Sequence, residues 1–110
     1  MSDQLSRVFA ALSDPIRRDM VARLTVGDTT VGRLAAPYEV SVQAVSKHLK
    51  VLEQSGLVTR TDAGHRSPVH LEADVFDLML SWIDRYKRAA EERYLRLDAV
   101  LAEMDKESSS

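Results

Sequence analysis

Hydrophobic and polar residues follow a helical period along residues 40–58, VSVQAVSKHLKVLEQSGLV. At about 100° per residue, one side of the predicted helix carries apolar residues: Val42, Val45, Leu49 and Leu52. The opposite side carries amides, a hydroxyl and lysines without a carboxylate: Gln43, Ser46, Lys47, Lys50 and Gln54. Ser41 is a suitable N-cap, and Gly56 can end the helix in the left-handed conformation. We therefore predict a helix over residues 41–55 with one packed face and one acid-free polar face.

Two shorter helices are predicted upstream. Asp14 and Pro15 provide the cap and first residue of a helix with an apolar side formed by Ile16, Met20, Val21 and Leu24. After a turn at residues 25–29, Thr30 can cap a short helix that Pro37 ends. A short helix, a tight turn and a polar-faced second helix are typical of the helix-turn-helix, whose second helix enters the DNA major groove. The turn at residues 37–40 lacks the glycine that is common there.

A hairpin is predicted downstream, where LVTRT (57–61) and SPVHL (67–71) flank a polar turn containing Gly64. Val69 and Leu71 would face the core, and His70 would face solvent. Pro68 is tolerated at the start of a strand. This hairpin would form a wing, with Arg60 and Arg66 adding positive charge beside the helix at 41–55.

The C-terminal third of the chain predicts one long helix. Residues 74–104 contain no glycine or proline, and apolar residues recur there at heptad spacing. A helix of about thirty residues spans roughly 45 Å, which is longer than a domain of this size is wide. We therefore expect it to pack against the same helix of a second subunit, together with an N-terminal helix at residues 4–12. Two shorter helices that fold back on the domain are the alternative.

The residues predicted to form this homodimer interface lie on the apolar sides of the two helices. They are Leu5, Val8, Phe9, Leu12, Met79, Ile83, Tyr86, Ala90, Leu97, Val100 and Leu101. One position of the heptad pattern, Arg93, interrupts the apolar series.

Three of these segments resemble the ArsR-type winged-helix repressors of bacteria: ALSDPIRRDMVARL (11–24), VSVQAVSKHLKVLEQSGLV (40–58) and GHRSPVHL (64–71). The most specific match is VSKHLKVL (45–52) followed by Gly56. The resemblance implies a homodimeric repressor that binds a palindromic operator and is released by a metal ion or another signal. The family's cysteine ligands would align near Thr30 and Gly32, and neither residue supplies a thiolate. We therefore expect a repressor of a non-metal-sensing kind, with no cofactor and with a small-molecule or protein effector of unknown identity.

Composition is compatible with a single bacterial cytoplasmic domain. The 110 residues contain no cysteine, and neither a signal peptide nor a transmembrane run is present, so no membrane partner is expected. The expected fold is mainly α with a small β-hairpin wing, a winged helix-turn-helix of order α-α-α-α-β-β-α. Its parts are a dimer helix (4–12), a helical core (15–56), the wing (57–71) and a long dimerisation helix (72–105), followed by a disordered tail (106–110).

The net charge of −2 is unusual for a protein that binds DNA. Residues 1–70, however, hold nine Lys/Arg against seven Asp/Glu, whereas residues 71–110 hold six against ten. The acidic excess is therefore separated from the predicted DNA-binding region. With so few basic residues available, we predict modest nonspecific affinity and a shallow salt dependence.

The sequence thus predicts a sequence-specific transcriptional regulator that binds double-stranded DNA. Ser41 and the helix N-terminus would bind phosphate, and Lys50, His65 and Arg66 would anchor the backbone or an adjacent minor groove. The residues expected to read base edges are Gln43, Ala44, Ser46 and Lys47. No catalytic motif is present, so we expect no enzyme. The alternatives are a winged-helix protein-interaction module without DNA binding, and a metal-responsive repressor with a non-standard oxygen/His site.

Overall fold

Five helices and three short strands follow one another along the chain in this computed structural model, which describes residues 3–61 and 66–108. The helices are α1 (Gln4–Ala11), α2 (Pro15–Leu24), α3 (Val31–Ala35), α4 (Val42–Gln54) and α5 (Phe76–Ser108), with a 3₁₀ turn at Ala73–Val75. The strands are β1 (Thr29–Thr30), β2 (Val58–Arg60) and β3 (Pro68–Leu71). The predicted fold class, a mainly helical winged helix-turn-helix, is confirmed.

Side-chain caps set where the first four helices begin. Each N-cap accepts a backbone N–H from three residues further on: Asp3 from Ser6 at 2.7 Å, Asp14 from Arg17 at 3.0 Å, Thr30 from Arg33 at 3.2 Å and Ser41 from Ala44 at 3.1 Å. These bonds satisfy N–H groups that have no partner within the helix. At the other end of α4, Gly56 has φ 88°, the left-handed conformation that favours glycine.

The sheet has the order β1-β3-β2 and is antiparallel throughout. In the wing, Thr59 pairs with His70 and Arg60 with Val69. Val69 is fully buried and His70 is exposed, as the alternation predicted. Strand β1 was not predicted: Thr29 pairs with Val69, forty residues away in sequence. A two-residue strand is too short to show alternation, so only its distant partner reveals it.

The hydrophobic core lies between α1–α4 and the sheet. Its fully buried large side chains include Met20, Leu34, Leu49, Leu52 and Leu57. Three residues predicted at the dimer interface contact this core. Val8 is fully buried in it, so the core of the same chain covers it, whereas Leu12 and Met79 are partly buried and pack against the cluster.

One residue predicted on the packed face of α4 is not in the core. Val42 is 39% exposed, because it lies in the first turn, ahead of the buried positions. The packed face of the helix therefore begins at Val45.

The chain divides into two compact units, residues 1–79 and 80–110. The second consists of the rest of α5, where Lys87–Glu91 at 3.0 Å and Asp84–Arg88 at 2.9 Å form i,i+4 ion pairs. Its apolar side chains are largely exposed: Trp82, Ile83, Tyr86, Tyr94, Leu97, Val100, Leu101 and Met104 each show more than two fifths of their surface. Within the described ranges, no helix is long and apolar enough to cross a membrane.

The helix α5 also corrects the predicted C-terminal tail. It continues through Ser108, so the expectation of disorder from residue 106 is wrong for residues 106–108. Lys106 and Glu107 are good helix formers, and they extend the helix beyond the last apolar position. Residues 109–110 lie outside the described part of the chain.

Candidate nucleic-acid interface

Helix α4 presents a continuous polar stripe to solvent. Gln43, Lys47, Lys50 and Gln54 are all exposed, and we call these four residues the polar stripe. Their spacing places them on one side of the helix over roughly 16 Å. The opposite side is anchored, since Val45, Leu49 and Leu52 are fully buried. A helix held by one face and exposed along the other has the dimensions required to enter a major groove about 12 Å wide.

Two further predicted base-reading residues border the stripe. Ala44 and Ser46 are half-buried, on either side of the buried Val45. The Ser41 hydroxyl is exposed and accepts the Ala44 N–H, so it caps the helix and keeps its own O–H free to donate. A helix N-terminus with such a donor favours an anion such as phosphate.

The stripe carries positive charge that the protein does not neutralise. Among the residues that the structure describes, neither Lys47 nor Lys50 takes part in a hydrogen bond or an ion pair. Glu53, the nearest acid along the helix, is occupied by Arg60, whose Nε lies 2.5 Å from Glu53 Oε1. Both atoms are shielded from solvent. Arg60 therefore does not provide the additional positive charge that the sequence predicted beside the helix, because it is paired with Glu53.

Tyr38 anchors the turn before α4, which lacks the glycine that is common in helix-turn-helix turns. Tyr38 donates its hydroxyl hydrogen to Asp19 Oδ2 at 2.6 Å, and the Arg23 guanidinium lies 5.4 Å from the centre of its ring. Arg23 also donates to the carbonyls of Leu34 at 2.6 Å and Arg33 at 3.0 Å, at the end of α3. Burial raises the pKa of Tyr38, and the Asp19 hydrogen bond adds to this effect. These contacts fix α3 and the turn to α2.

His48 faces α2 rather than the polar stripe. Its side chain is half-buried, with Nδ1 lying 3.2 Å from Arg17 Nη1 and 3.9 Å from Asp14 Oδ2. The Arg17 backbone N–H that Asp14 accepts lowers the pKa of that carboxyl, and the positive charge of Arg17 acts in the same direction. Burial opposes the shift. The contact between Arg17 and His48 was not predicted, because no local sequence pattern links positions 17 and 48.

Among the residues of the wing that the structure describes, one unpaired basic side chain lies at the candidate interface. Arg66 is exposed at the start of the segment that leads into β3, whereas His65 lies outside the described residues. In the strands, His70 Nδ1 lies 2.8 Å from Asp28 Oδ1 and His70 Nε2 lies 3.9 Å from Glu72 Oε1. The hydrogen bond to Asp28 raises the pKa of His70. The negative charges of Asp28 and Glu72 act in the same direction. This pairing fixes β3 to the turn before β1.

The side chains of this chain that could bind a metal ion are those of histidine, aspartate and glutamate, since it has no cysteine. Across residues 3–61 and 66–108, no three His, Cys, Asp or Glu side chains come together in a way that suits a metal ion. His70 has its two neighbouring carboxylates on different ring nitrogens, so the three groups do not converge on one point.

Comparison with known proteins identifies the family. Residues 12–61 match the family model of a helix-turn-helix domain. The chain is 38% identical over 91 residues to the HTH-type transcriptional regulator Rv2034 of Mycobacterium tuberculosis, covering 83% of this chain and 85% of that protein. The crystal structure of the ArsR family transcriptional regulator RHA00566 superposes with a TM-score of 0.76 at 31% identity, covering 81% of this chain and 98% of that one. The chain belongs to the ArsR family of transcriptional regulators.

Two other similar proteins bear on function and assembly. The transcriptional repressor SdpR of Bacillus subtilis is 30% identical over 79 residues, covering 72% of this chain and 88% of SdpR. The homodimeric winged helix-turn-helix DNA-binding domain Mb0332 of Mycobacterium bovis has a TM-score of 0.60 at 26% identity, covering 79% of this chain and 84% of that one. The expected ArsR-type winged-helix architecture is thereby confirmed, and with it a DNA-binding regulator.

Proposed function

We propose that this ArsR family protein is a homodimeric repressor that binds a palindromic operator, including one in its own promoter. The observation that carries this proposal is the polar stripe of α4, which exposes two unpaired lysines and two amides and contains no carboxylate. An ordinary solvated helix face mixes both signs of charge, as α5 does in its Lys87–Glu91 and Asp84–Arg88 pairs. A donor-rich face instead matches the acceptor-rich edges and phosphates of DNA.

The residues of this interface divide into two groups by their chemistry. Gln43, Ser46 and Lys47 would bond base edges, and the methyl group of Ala44 would contact a thymine methyl. Phosphate contacts would come from Ser41 at the helix N-terminus, from Lys50, and from Arg66 with His65 in the wing. Phosphate contacts set the register of the protein, whereas base contacts set the sequence preference.

Dimerisation would use the exposed apolar face of α5 together with α1. Ile83, Tyr86, Leu97, Val100 and Leu101 are each 43–53% exposed on α5, and Phe9 is 36% exposed on α1. Ala90 lies on the same side of α5 and Leu5 is half-buried on α1. A second copy of the chain would cover these side chains and place two α4 helices about 34 Å apart, one turn of DNA. The homodimeric state of the Mb0332 domain supports a homodimer for this chain.

The experiment that tests the function is fluorescence anisotropy of the protein on labelled DNA from upstream of its own gene, followed by footprinting. We expect a symmetric footprint and tight binding in the presence of excess competitor DNA. The double variant K47Q/K50Q should lose binding, whereas K87Q, a matched change at an exposed lysine of α5, should retain it. If a folded wild-type protein binds DNA no better than K47Q/K50Q does, the chain is a protein-interaction module instead.

The signal that releases DNA is proposed not to be a metal ion. Support comes from the lack of cysteine in the sequence and of histidine in residues 74–104. Titration of the DNA complex with Zn²⁺, Cd²⁺ and Ni²⁺ should leave its affinity unchanged. A metal that releases DNA at stoichiometric concentration would contradict this and favour a site of oxygen and histidine ligands. The relatives are regulators, so we propose no catalysis, and chromosomal DNA would place the protein in the bacterial cytoplasm.

A further inference from the structure

Arg17 connects three parts of the molecule through one guanidinium group. Its Nε donates to the Ala11 carbonyl at 2.6 Å and its Nη2 donates to the Ala10 carbonyl at 3.1 Å. Its Nη1 lies 3.2 Å from His48 Nδ1 on α4. The two carbonyls are at the C-terminal end of α1, where the Ala10 carbonyl also accepts from the Ser13 hydroxyl at 2.6 Å. Arg17, which belongs to α2, therefore links the end of α1 to α4.

A second contact fixes the other end of α1 to the C-terminal end of α4. Gln4 Nε2 donates to the Ser55 carbonyl at 3.3 Å, directly after the last turn of α4. Gly56 allows this approach, because a Cβ at that position would lie 2.8 Å from Gln4 Nε2. Both ends of α1 are therefore attached to α4, one through Gln4 to the C-terminal end of α4 and the other through Arg17 to the middle of α4.

We propose that Arg17 is a positioning residue that sets the orientation of α4 relative to α1. Arginine suits this role because its planar guanidinium group holds several N–H donors in a fixed geometry, which the ammonium group of lysine does not. The inference rests on the proposed function: if α1 contacts a second subunit around Phe9, its orientation relative to α4 determines how the two polar stripes are spaced. Arg17 then acts on DNA binding without touching DNA.

Arg18 provides a matched control. It carries the same charge, lies next in sequence and donates to the Leu12 carbonyl at 2.8 Å, just beyond the same end of α1. Over the described part of the chain, no hydrogen bond or ion pair joins it to α4. R18Q therefore removes one bond near the end of α1 and nothing at α4, whereas R17Q removes two bonds to α1 and also the connection to α4.

The test measures affinity for the footprinted operator and for versions with one base pair added or removed between the half-sites. R17Q should bind the native operator about tenfold more weakly, the cost of about one hydrogen bond. It should also discriminate less between the three spacings. R18Q should match the wild type in both measurements. The slope of log affinity against log salt should not change in R17Q, whereas a smaller slope would mean that Arg17 binds a phosphate and would overturn the positioning role.

His48 variants test the same connection without touching the end of α1. H48N retains an acceptor near Nδ1 and should behave like the wild type, whereas H48L should reproduce the effect of R17Q. The double variant R17Q/H48L should lose no more than R17Q alone, since the contact that H48L removes is already absent from R17Q. Folding is checked by thermal unfolding and dimerisation by sedimentation.

The outcomes separate this inference from the proposed function. If the wild type binds its operator and folded R17Q and H48L keep both its affinity and its spacing preference, the positioning role is refuted and the function stands. If the wild type binds no operator, the function is refuted and the positioning role with it.

Discussion

Replacing Lys50 by glutamine removes one of three exposed cations that each subunit would place against DNA, the others being Lys47 and Arg66. Lys50 forms no hydrogen bond or ion pair with any described residue, so the loss of its charge leaves no carboxylate unpaired. Glutamine keeps most of the side-chain length and has a similar helix propensity. The change therefore acts on the electrostatic part of binding and leaves the fold intact.

The magnitude follows from counting these cations. A dimer would bring six of them to the operator, and each that releases a counterion from the DNA, whether it lies at a phosphate or at a base edge, contributes about 0.9 to the slope of log affinity against log salt, which gives a slope of about −5.4. K50Q removes two, so its slope should be about −3.6. If binding at 1 M salt is unchanged, the variant should bind about 60-fold more weakly at 0.1 M salt.

Fluorescence anisotropy on the footprinted operator between 0.05 and about 0.4 M salt measures both slopes. K87Q is the control, because Lys87 pairs with Glu91 on α5, and it should keep the wild-type slope. A wild-type slope near −10 would show that many more cations reach DNA than the structure exposes on α4 and the wing. An unchanged slope in K50Q would show that this lysine does not contact phosphate.

Three further predictions concern stability, each measured by thermal or urea unfolding. S41A should lose about 1 kcal/mol with its cap, and S41D should retain the stability; equal stability of wild type and S41A would argue against the cap. L49A should lose about 2 to 5 kcal/mol, while L95A, at a 67% exposed position, should lose far less. The raised pKa of His70 means that its pairing with Asp28 stabilises the fold fully below about pH 6.5 and less as pH rises through the folded pKa. D28N should remove this pH dependence, and an unchanged pH profile would contradict the pairing.

Local signals predicted the helices well, because caps and periodicity act over a few residues. Asp14, Thr30 and Ser41 each accept the N–H three residues on, as their positions indicated. The buried face of α4 and the alternation at Val69 and His70 were equally visible. In these segments the intrinsic preference of the backbone and the tertiary packing favour the same structure.

Contacts between distant residues could not be predicted in this way. The Arg17–His48 contact spans 31 residues, and β1 exists only because Thr29 meets Val69. Similarly, periodicity showed that Val8 lies on an apolar face but not whether that face packs on its own core or on a second subunit. Periodicity identifies a buried face without identifying its partner.

Many acidic side chains in residues 1–70 are engaged in caps, hydrogen bonds and ion pairs, which explains how a chain of net charge −2 can present a positive surface. Asp14 caps α2, Asp19 accepts from Tyr38, Asp28 pairs with His70 and Glu53 pairs with Arg60. These carboxylates stabilise the fold, so the cations of the polar stripe remain unneutralised, but they are few. Affinity must then come from two subunits bound at once, because the second contact forms at a high effective concentration. Under the proposed function, a small change in the spacing of the two α4 helices would therefore release DNA without any change in the stripe itself.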